Sequence, residues 1–243
     1  MLHTTKGIVL RTIKYGDTSV VVAIYTELFG VQSYIVNGVR TEKKSASKAN
    51  IYQPTTLLDL IVYHTPNKNL QRIKEARVNH IYTTLQSHIV KNTIAVYLSE
   101  LIHKTISEPE ANPDLFEFFE TSFLLIDHSV ENDLSNFPVV FTLQLAKHLG
   151  FGIHNEYSEN EPVLDLQNGQ FCAKQQVSSF HFIEGETARL ISLLNTESSV
   201  EILLLNQSKR KELLAVCIQY LRLHIPHMSE LKSVQVLHEI LST

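Results

Sequence analysis

The 243-residue chain has little of what most site chemistry requires: two cysteines, Cys172 and Cys217, eight glycines and no tryptophan. Two cysteines make at most one disulfide and cannot by themselves build a four-thiolate zinc site, so a reducing cytosolic setting is expected. None of the glycines falls in GxGxxG or GxxxxGK spacing, which argues against a dinucleotide enzyme or an ATPase, and no GxSxG elbow is present. Long apolar runs are missing too. The longest, Val20 to Tyr25 and Leu213 to Ile218, fall far short of the ~18–20 residues of a membrane span. The opening MLHTTKGIVLR lacks a basic region followed by an apolar one, so no secretory leader is expected. What is present is 44% hydrophobic residue with 19% charge, enough to bury one large core or two small ones.

The net charge of -4 conceals an asymmetry. Residues 1–80 carry eleven Lys and Arg against five acids, a balance of +6, and the remainder of the chain stands at -10. A cationic head on an anionic body is suited to meeting a polyanion with the head.

The head reads as strands. Segments 6–14, 19–26, 31–36 and 55–63 are short, rich in β-branched residues and bounded by turn signals: Tyr15-Gly16-Asp17, Phe29-Gly30, Asn37-Gly38 and Thr65-Pro66-Asn67. Segment 70–78 has charges that suit a helix, but its place in a run of strands favours a fifth strand. Five short strands in about 80 residues suggest a small barrel, an OB fold first and an SH3-like barrel second. Between the third and fourth strands, Arg40 to Lys48 reads RTEKKSASK, a basic loop with nothing larger and apolar than Ala46.

From about residue 79 the apolar period becomes helical. Ile94, Leu98, Leu101 and Ile102 fall on one face, and Asn112-Pro113-Asp114 starts a helix with Leu115, Phe118, Phe119, Leu125 and Ile126 inward. A further helix opens at Pro138 and stops at Gly150, with Val139, Leu143 and Ala146 inward. Short helical patterns follow at 186–194, at Leu214 to Ile225 and from Ser233 onward. Residues 151–183 fit neither period and read as an irregular insert. The fold class is therefore α+β: an N-terminal five-stranded OB-type barrel over 1–80, then a helical domain over 81–243.

Few constellations carry chemistry. His224 and His227 form an HxxH near His238, but Pro226 breaks the shared face and no acid stands at ligand spacing. His224 is better placed to close a helix end. The paired glutamates at 108/110, 117/120, 156/159/161 and 184/186 read as solvated surface rather than a nuclease cluster. Six aromatics accompany the basic head: Tyr15, Tyr25, Phe29, Tyr34, Tyr52 and Tyr63. Tyr15 and Tyr34 are the candidates for stacking on bases.

The opening KGIVLRTIKYGDTSVVVAIYTELFG resembles the start of the RecO family of bacterial DNA repair and recombination mediators. Gly38 and Arg40 before Lys43, Lys44 and Ser45, then Gln53-Pro54, continue the likeness, as do LAKHLGF at 145–151 and Tyr220, Leu221, His224, Leu231, Lys232, Ser233 and Leu237 near the end. The resemblance implies an OB fold followed by a helical domain. It also implies sequence-independent binding of single- and double-stranded DNA and strand annealing. Its implied partners are the acidic tail of single-stranded DNA-binding protein and RecR, with RecA loading as the outcome. The chain departs from the family where many members carry a four-cysteine zinc module, because 151–183 retains only Cys172. No zinc and no other cofactor are expected.

The expected DNA contacts are Arg11, Lys14, Tyr34, Arg40, Lys43, Lys44, Lys48, Lys68 and Arg72, with Lys6, Lys74 and Arg77 as further phosphate-neutralising charges. Reversing Lys43 and Lys44 to Glu is expected to weaken binding evenly across sequences. Lys91 or Lys104 is expected to flank an apolar groove for the acidic tail. The expected role is non-enzymatic and cytoplasmic, at the nucleoid. A basic barrel that binds an acidic protein is the main alternative, and a nuclease is a third.

Overall fold

The computed structural model describes residues 1–39, 50–66, 68–106, 109–177, 179–196 and 205–241. The chain divides into two units, residues 1–128 with 231–234, and residues 129–230 with 235–243.

The first unit is built on a closed barrel of five strands: β1 (Leu2–Tyr15), β2 (Ser19–Thr26), β3 (Gly30–Val36), β4 (Leu57–Tyr63) and β5 (Gln71–Val78). They run in the order β1-β2-β3-β5-β4, the OB arrangement read from the sequence, and the ambiguous 70–78 segment is strand. β1 is long because it pairs twice, through Leu2 to Ile8 with β4 and through Gly7 to Tyr15 with β2. An irregularity between Val9 and Arg11 bends it from one partner to the other. Closure comes from a short parallel seam of two pairs, Tyr34 with Gln71 and Ile35 with Arg72.

Alternation explains the filling. Val20, Val22 and Ile24 of β2 point inward with Val9, Tyr34, Tyr52, Leu58, Leu60 and Val62. A Cβ on Gly7 would come within 2.7 Å of both Ile24 and Leu60, so only glycine lets β1 pass this close to the interior.

Two helices complete the first unit, α1 (Ile89–Thr105) and α2 (Pro113–His128). The expected α1 face, Ile94, Leu98, Leu101 and Ile102, is wholly buried. α2 starts as read, with the Asn112 side chain accepting from Leu115 N at 3.0 Å. Its apolar face is rotated from the expected one. Phe116 and Phe123 are buried and Leu125 is exposed, because Tyr25 on the outside of the barrel draws Phe116 and Phe119 to it, at ring separations of 6.2 and 5.1 Å.

Asp127, near the end of α2, gathers the segment that leaves the barrel. Its carboxylate accepts from the backbone N–H of Thr83, Thr84 and Leu85 at 2.7–3.0 Å. Burial opposes the charge, but these hydrogen bonds outweigh it and hold the acid far below its ordinary range. The residues Leu231 to Val234 close the unit. Glu100 accepts from Lys232 N, Ser233 N and the Ser233 hydroxyl at 2.6–3.0 Å. Ser233, where the last helical pattern begins, is thus held by a glutamate from α1.

The second unit holds α3 (Phe137–His148), α4 (Glu186–Thr196), α5 (Gln207–His224) and most of α6 (Ser233–Ile240). The insert at 151–183, expected to be irregular, contains a small antiparallel sheet of β6 (Val163–Asp165), β7 (Gln170–Cys172) and β8 (Phe182–Glu184), with β6 central. Three-residue strands are too short to print a period in sequence.

Asp165 organises this insert. It accepts from Ser179 Oγ at 2.8 Å, Asn168 Nδ2 at 2.9 Å and Gln167 N at 3.0 Å. Burial again pushes its pKa up, and the hydrogen bonds from Ser179, Asn168 and Gln167 win, leaving it lowered. Gly169, at φ 65°, fits beneath Tyr220, whose hydroxyl a Cβ there would strike. His224 bonds through Nε2 to Leu166 O at 2.9 Å, so it ties α5 to the insert as well as ending the helix.

Cys172 and Cys217 are both free and buried, and burial pushes the Cys217 thiol up to about 12. Among the described residues no helix is long and apolar enough to cross a membrane.

Candidate nucleic-acid interface

The register of the barrel places a row of outward-facing side chains across its strands. Leu2 pairs with Tyr63, Tyr63 with Arg72, Arg72 with Ile35, Ile35 with Val21 and Val21 with Ile13. The row leaves β1 at Leu2 and returns to it at Ile13. Its centre is apolar, and Ile13 is 45% exposed.

Cations stand at both sides of this strip. Arg11 and Lys14 project from β1, Arg72 and Lys74 from β5, and Lys68 from the turn before β5; all are exposed. Two intervening strands separate the groups, three strand spacings or roughly 14 Å across the sheet. None of the five has a carboxylate partner within bridging distance among the described residues.

The other two described cations of the barrel differ. Lys6 lies 3.1 Å from Glu120 and Arg77 lies 2.6 Å from Glu75. Both sit near Asp59, the register partner of each. These two are consumed by local acids and do not extend the unpaired set.

The expected stacking residues divide. Tyr15 is 54% exposed at the end of β1. Tyr34 is a correction: it has no exposed surface, and its ring fills the barrel core. The alternation of β3 turns Tyr34 inward with Gln32 and leaves Ser33 and Ile35 outside. Burial holds its phenol well above the ordinary range, so it offers a base neither a face nor a charge. Tyr63, 49% exposed and paired with Arg72, presents its ring on the outer face of the barrel. Strand phase was the signal that could have found it, once the outward position of Arg72 was known.

Of the nine expected DNA contacts, Arg40, Lys43, Lys44 and Lys48 lie outside the described residues. Lys91, expected beside a peptide groove, is also a correction. It is buried, and its ammonium donates to Thr84 Oγ1 at 2.7 Å and Asp127 O at 2.8 Å. A lysine spent on internal carbonyl and hydroxyl oxygens cannot meet an acidic peptide. Lys104 is half-buried at the last turn of α1.

Position 104 belongs to a cluster that sequence reasoning missed. His103 has a buried Nδ1 with no hydrogen-bond partner among the described residues. Burial first, then the charges of Arg11 and Lys104, hold it below the ordinary imidazole range, and Glu100 opposes them. The β1 cations therefore continue onto the end of α1.

Each unit holds a concave feature of its own. In the first, a polar cleft of about 450 Å³ lies between β3 and the β4–β5 turn, lined by Gln32, Ser33, His64, Lys68, Asn69 and Gln71. In the second, a small apolar cleft is formed by Pro138, Val139, Leu214, Leu237 and Leu241, rimmed by Arg210 and Lys211. No grouping of three or more His, Cys, Asp or Glu side chains able to hold a metal occurs among the described residues.

Comparison with known proteins places this architecture. The model of the family "Recombination protein O N terminal" matches residues 1–82, and that of "Recombination protein O C terminal" matches residues 86–234. A DNA repair protein RecO of Christiangramia forsetii is 33% identical over 247 residues, covering 99% of each chain. Those of Bacteroides fragilis and Phocaeicola vulgatus are also 33% identical, over 242 and 245 residues, covering 99% and 100% of each chain. Among solved structures, an Entamoeba histolytica asparaginyl-tRNA synthetase overlays 65% of this chain and 35% of its own, at 11% identity and a TM-score of 0.28, too low to bear on the fold.

Proposed function

Because this chain belongs to the RecO family of DNA repair and recombination proteins, we propose that its barrel binds DNA without sequence preference and that it acts as a non-enzymatic mediator. The observation that carries the reading is the strip of Ile13, Val21 and Ile35 with Arg11 on one side and Lys68, Arg72 and Lys74 on the other, none of them paired with an acid among the described residues. Cations without carboxylate partners release counterions when phosphates replace them. An apolar strip with Tyr15 and Tyr63 nearby supports bases without hydrogen-bond readout. If ~4–6 phosphates are engaged, log affinity falls against log salt with a slope of ~-3 to -5.

Annealing follows from the same surface. Two strands held on one cationic face repel each other less than two free strands. Residues 1–80 serve as the DNA-binding domain in this reading and residues 81–243 as the protein-binding one, without zinc in the 151–183 insert. The acidic tail of single-stranded DNA-binding protein would use the cleft of Pro138, Val139, Leu214, Leu237 and Leu241. There Arg210 and Lys211 supply the charge that Lys91 does not. Cooperation with RecR in RecA loading, in the cytoplasm, completes the proposal.

The test is a fluorescence anisotropy titration of labelled oligonucleotides at two salt concentrations with the Arg11→Glu/Arg72→Glu protein. Affinity falls and the salt slope becomes shallower if the strip is the site. Unchanged affinity and slope would remove it, and retention of an acidic protein without retention of DNA would favour an adaptor.

A further inference from the structure

Of the phosphate track only Lys68 borders the polar cleft beside β3. The cleft lies at the parallel β3–β5 seam, under the turn that carries Lys68. Its walls are fixed from several directions. The Gln71 amide donates to Thr65 O and Lys68 O at 2.8 and 2.9 Å and accepts from Thr65 N at 3.0 Å, which pins the turn. Gln32 donates to Phe29 O at 2.9 Å. The His64 ring is stacked on Phe29, 3.9 Å between centroids and 8° from parallel. A cavity held this way needs little reordering to receive a ligand.

Two groups in the cleft have capacity to spare. His64 Nδ1 is buried with no hydrogen-bond partner among the described residues. Lys68 is exposed and meets no carboxylate among the described residues. The volume of about 450 Å³ accepts a ligand of the size of one nucleotide and is too small for a stacked base pair within a duplex. Amide and hydroxyl side chains along one wall suit the polar edge of a base, and the ammonium suits a phosphate.

We infer that this cleft seats one unpaired nucleotide of a DNA strand, phosphate toward Lys68 and base edge toward His64, Gln32 and Ser33, and thereby sets the barrel's preference for single strands over duplex. The inference rests on the barrel being a DNA-binding surface, but of the strip's cations only Lys68 reaches the cleft, and the residues that test the cleft, Ser33 and His64, lie outside the strip. The two claims therefore separate in one experiment.

That experiment titrates a labelled oligothymidylate and a labelled duplex of equal length with the full chain and two uncharged-to-uncharged variants. Ser33→Tyr fills the cleft from β3. His64→Phe keeps the ring stack on Phe29 and removes both ring nitrogens. Each lowers single-strand affinity about fivefold and leaves duplex affinity unchanged; thermal melting confirms that both variants fold. Equal losses on both substrates, or no loss on either, overturn the cleft assignment. Wild-type binding to duplex alone overturns the cleft and spares the strip, whereas binding to neither overturns both.

Thymidine monophosphate separates the two sources of the same ligand. Competition by millimolar nucleotide against the single strand alone supports the site. Tight binding of the free nucleotide to a protein whose oligonucleotide affinity is indifferent to both variants makes it a mononucleotide pocket and overturns the DNA assignment.

Discussion

Lysines and arginines occupy two kinds of place in this molecule. On the barrel, Arg11, Lys14, Lys68, Arg72 and Lys74 are exposed without an acid partner among the described residues, although Lys6 and Arg77 show that acids are within reach elsewhere on the same strands. In the second unit, Lys174 lies 2.7 Å from Glu184, and Lys209 lies 3.0 Å from both Glu186 and Glu212. A charge that is already answered locally contributes a little to its own helix or strand and offers little to a ligand. An unanswered set of cations lowers stability slightly through self-repulsion and leaves its charge available to a ligand. Charge pairing, rather than charge count, separates the candidate interface from ordinary surface.

The comparison can be broken most forcefully through the internal charges. Asp127→Ala leaves the N–H groups of Thr83, Thr84 and Leu85 without an acceptor and lowers stability by about 3 kcal/mol, measured by urea denaturation. The pH dependence has the same origin. The folded-state pKa of Asp127 and Asp165 is depressed, so their stabilisation is fully present above the unfolded value near ~4 and is lost as pH falls below it. Melting temperatures flat from neutrality to about pH 5 and dropping beneath pH 4 are expected; in the Asp127→Ala protein the drop is smaller.

Reversal of the unpaired cations comes next. Arg11→Glu/Arg72→Glu weakens DNA binding about a hundredfold at low salt with an unchanged melting temperature. Loss of stability in place of affinity would mean that these charges support the fold. A finer effect concerns His103, whose pKa is lowered by burial, Arg11 and Lys104. A phosphate bound beside it raises its pKa, so DNA affinity rises about threefold as pH falls from 8 to 6. His103→Gln flattens that profile. The smallest effect tests the paired class: Lys174→Gln changes stability by less than about 0.5 kcal/mol and leaves DNA affinity where it was.

The barrel was legible because alternation of β-branched residues is a strong local signal, as in Val20, Val22 and Ile24. The phase of β3 was harder. SYIV offers apolar or aromatic residues on both faces, and only the pairing of Tyr34 with Gln71 fixes which one is inside. The rotation of α2 follows from a contact with Tyr25, some 90 positions earlier in the chain, that no helical period encodes. Lys91 looked like surface because lysine usually is; its role depends on a carbonyl at Asp127. The basic character of the barrel was plain from composition. The division of its cations into answered and unanswered ones required the register.

Glu100 waits for partners that come 132 and 133 positions later, at Lys232 and Ser233. A chain emerging from the ribosome therefore makes its barrel strands and α1 long before the segment that seals them. Until residues 232 and 233 have been made, this carboxylate lacks its three donors, and the first unit to begin folding is not finished before then.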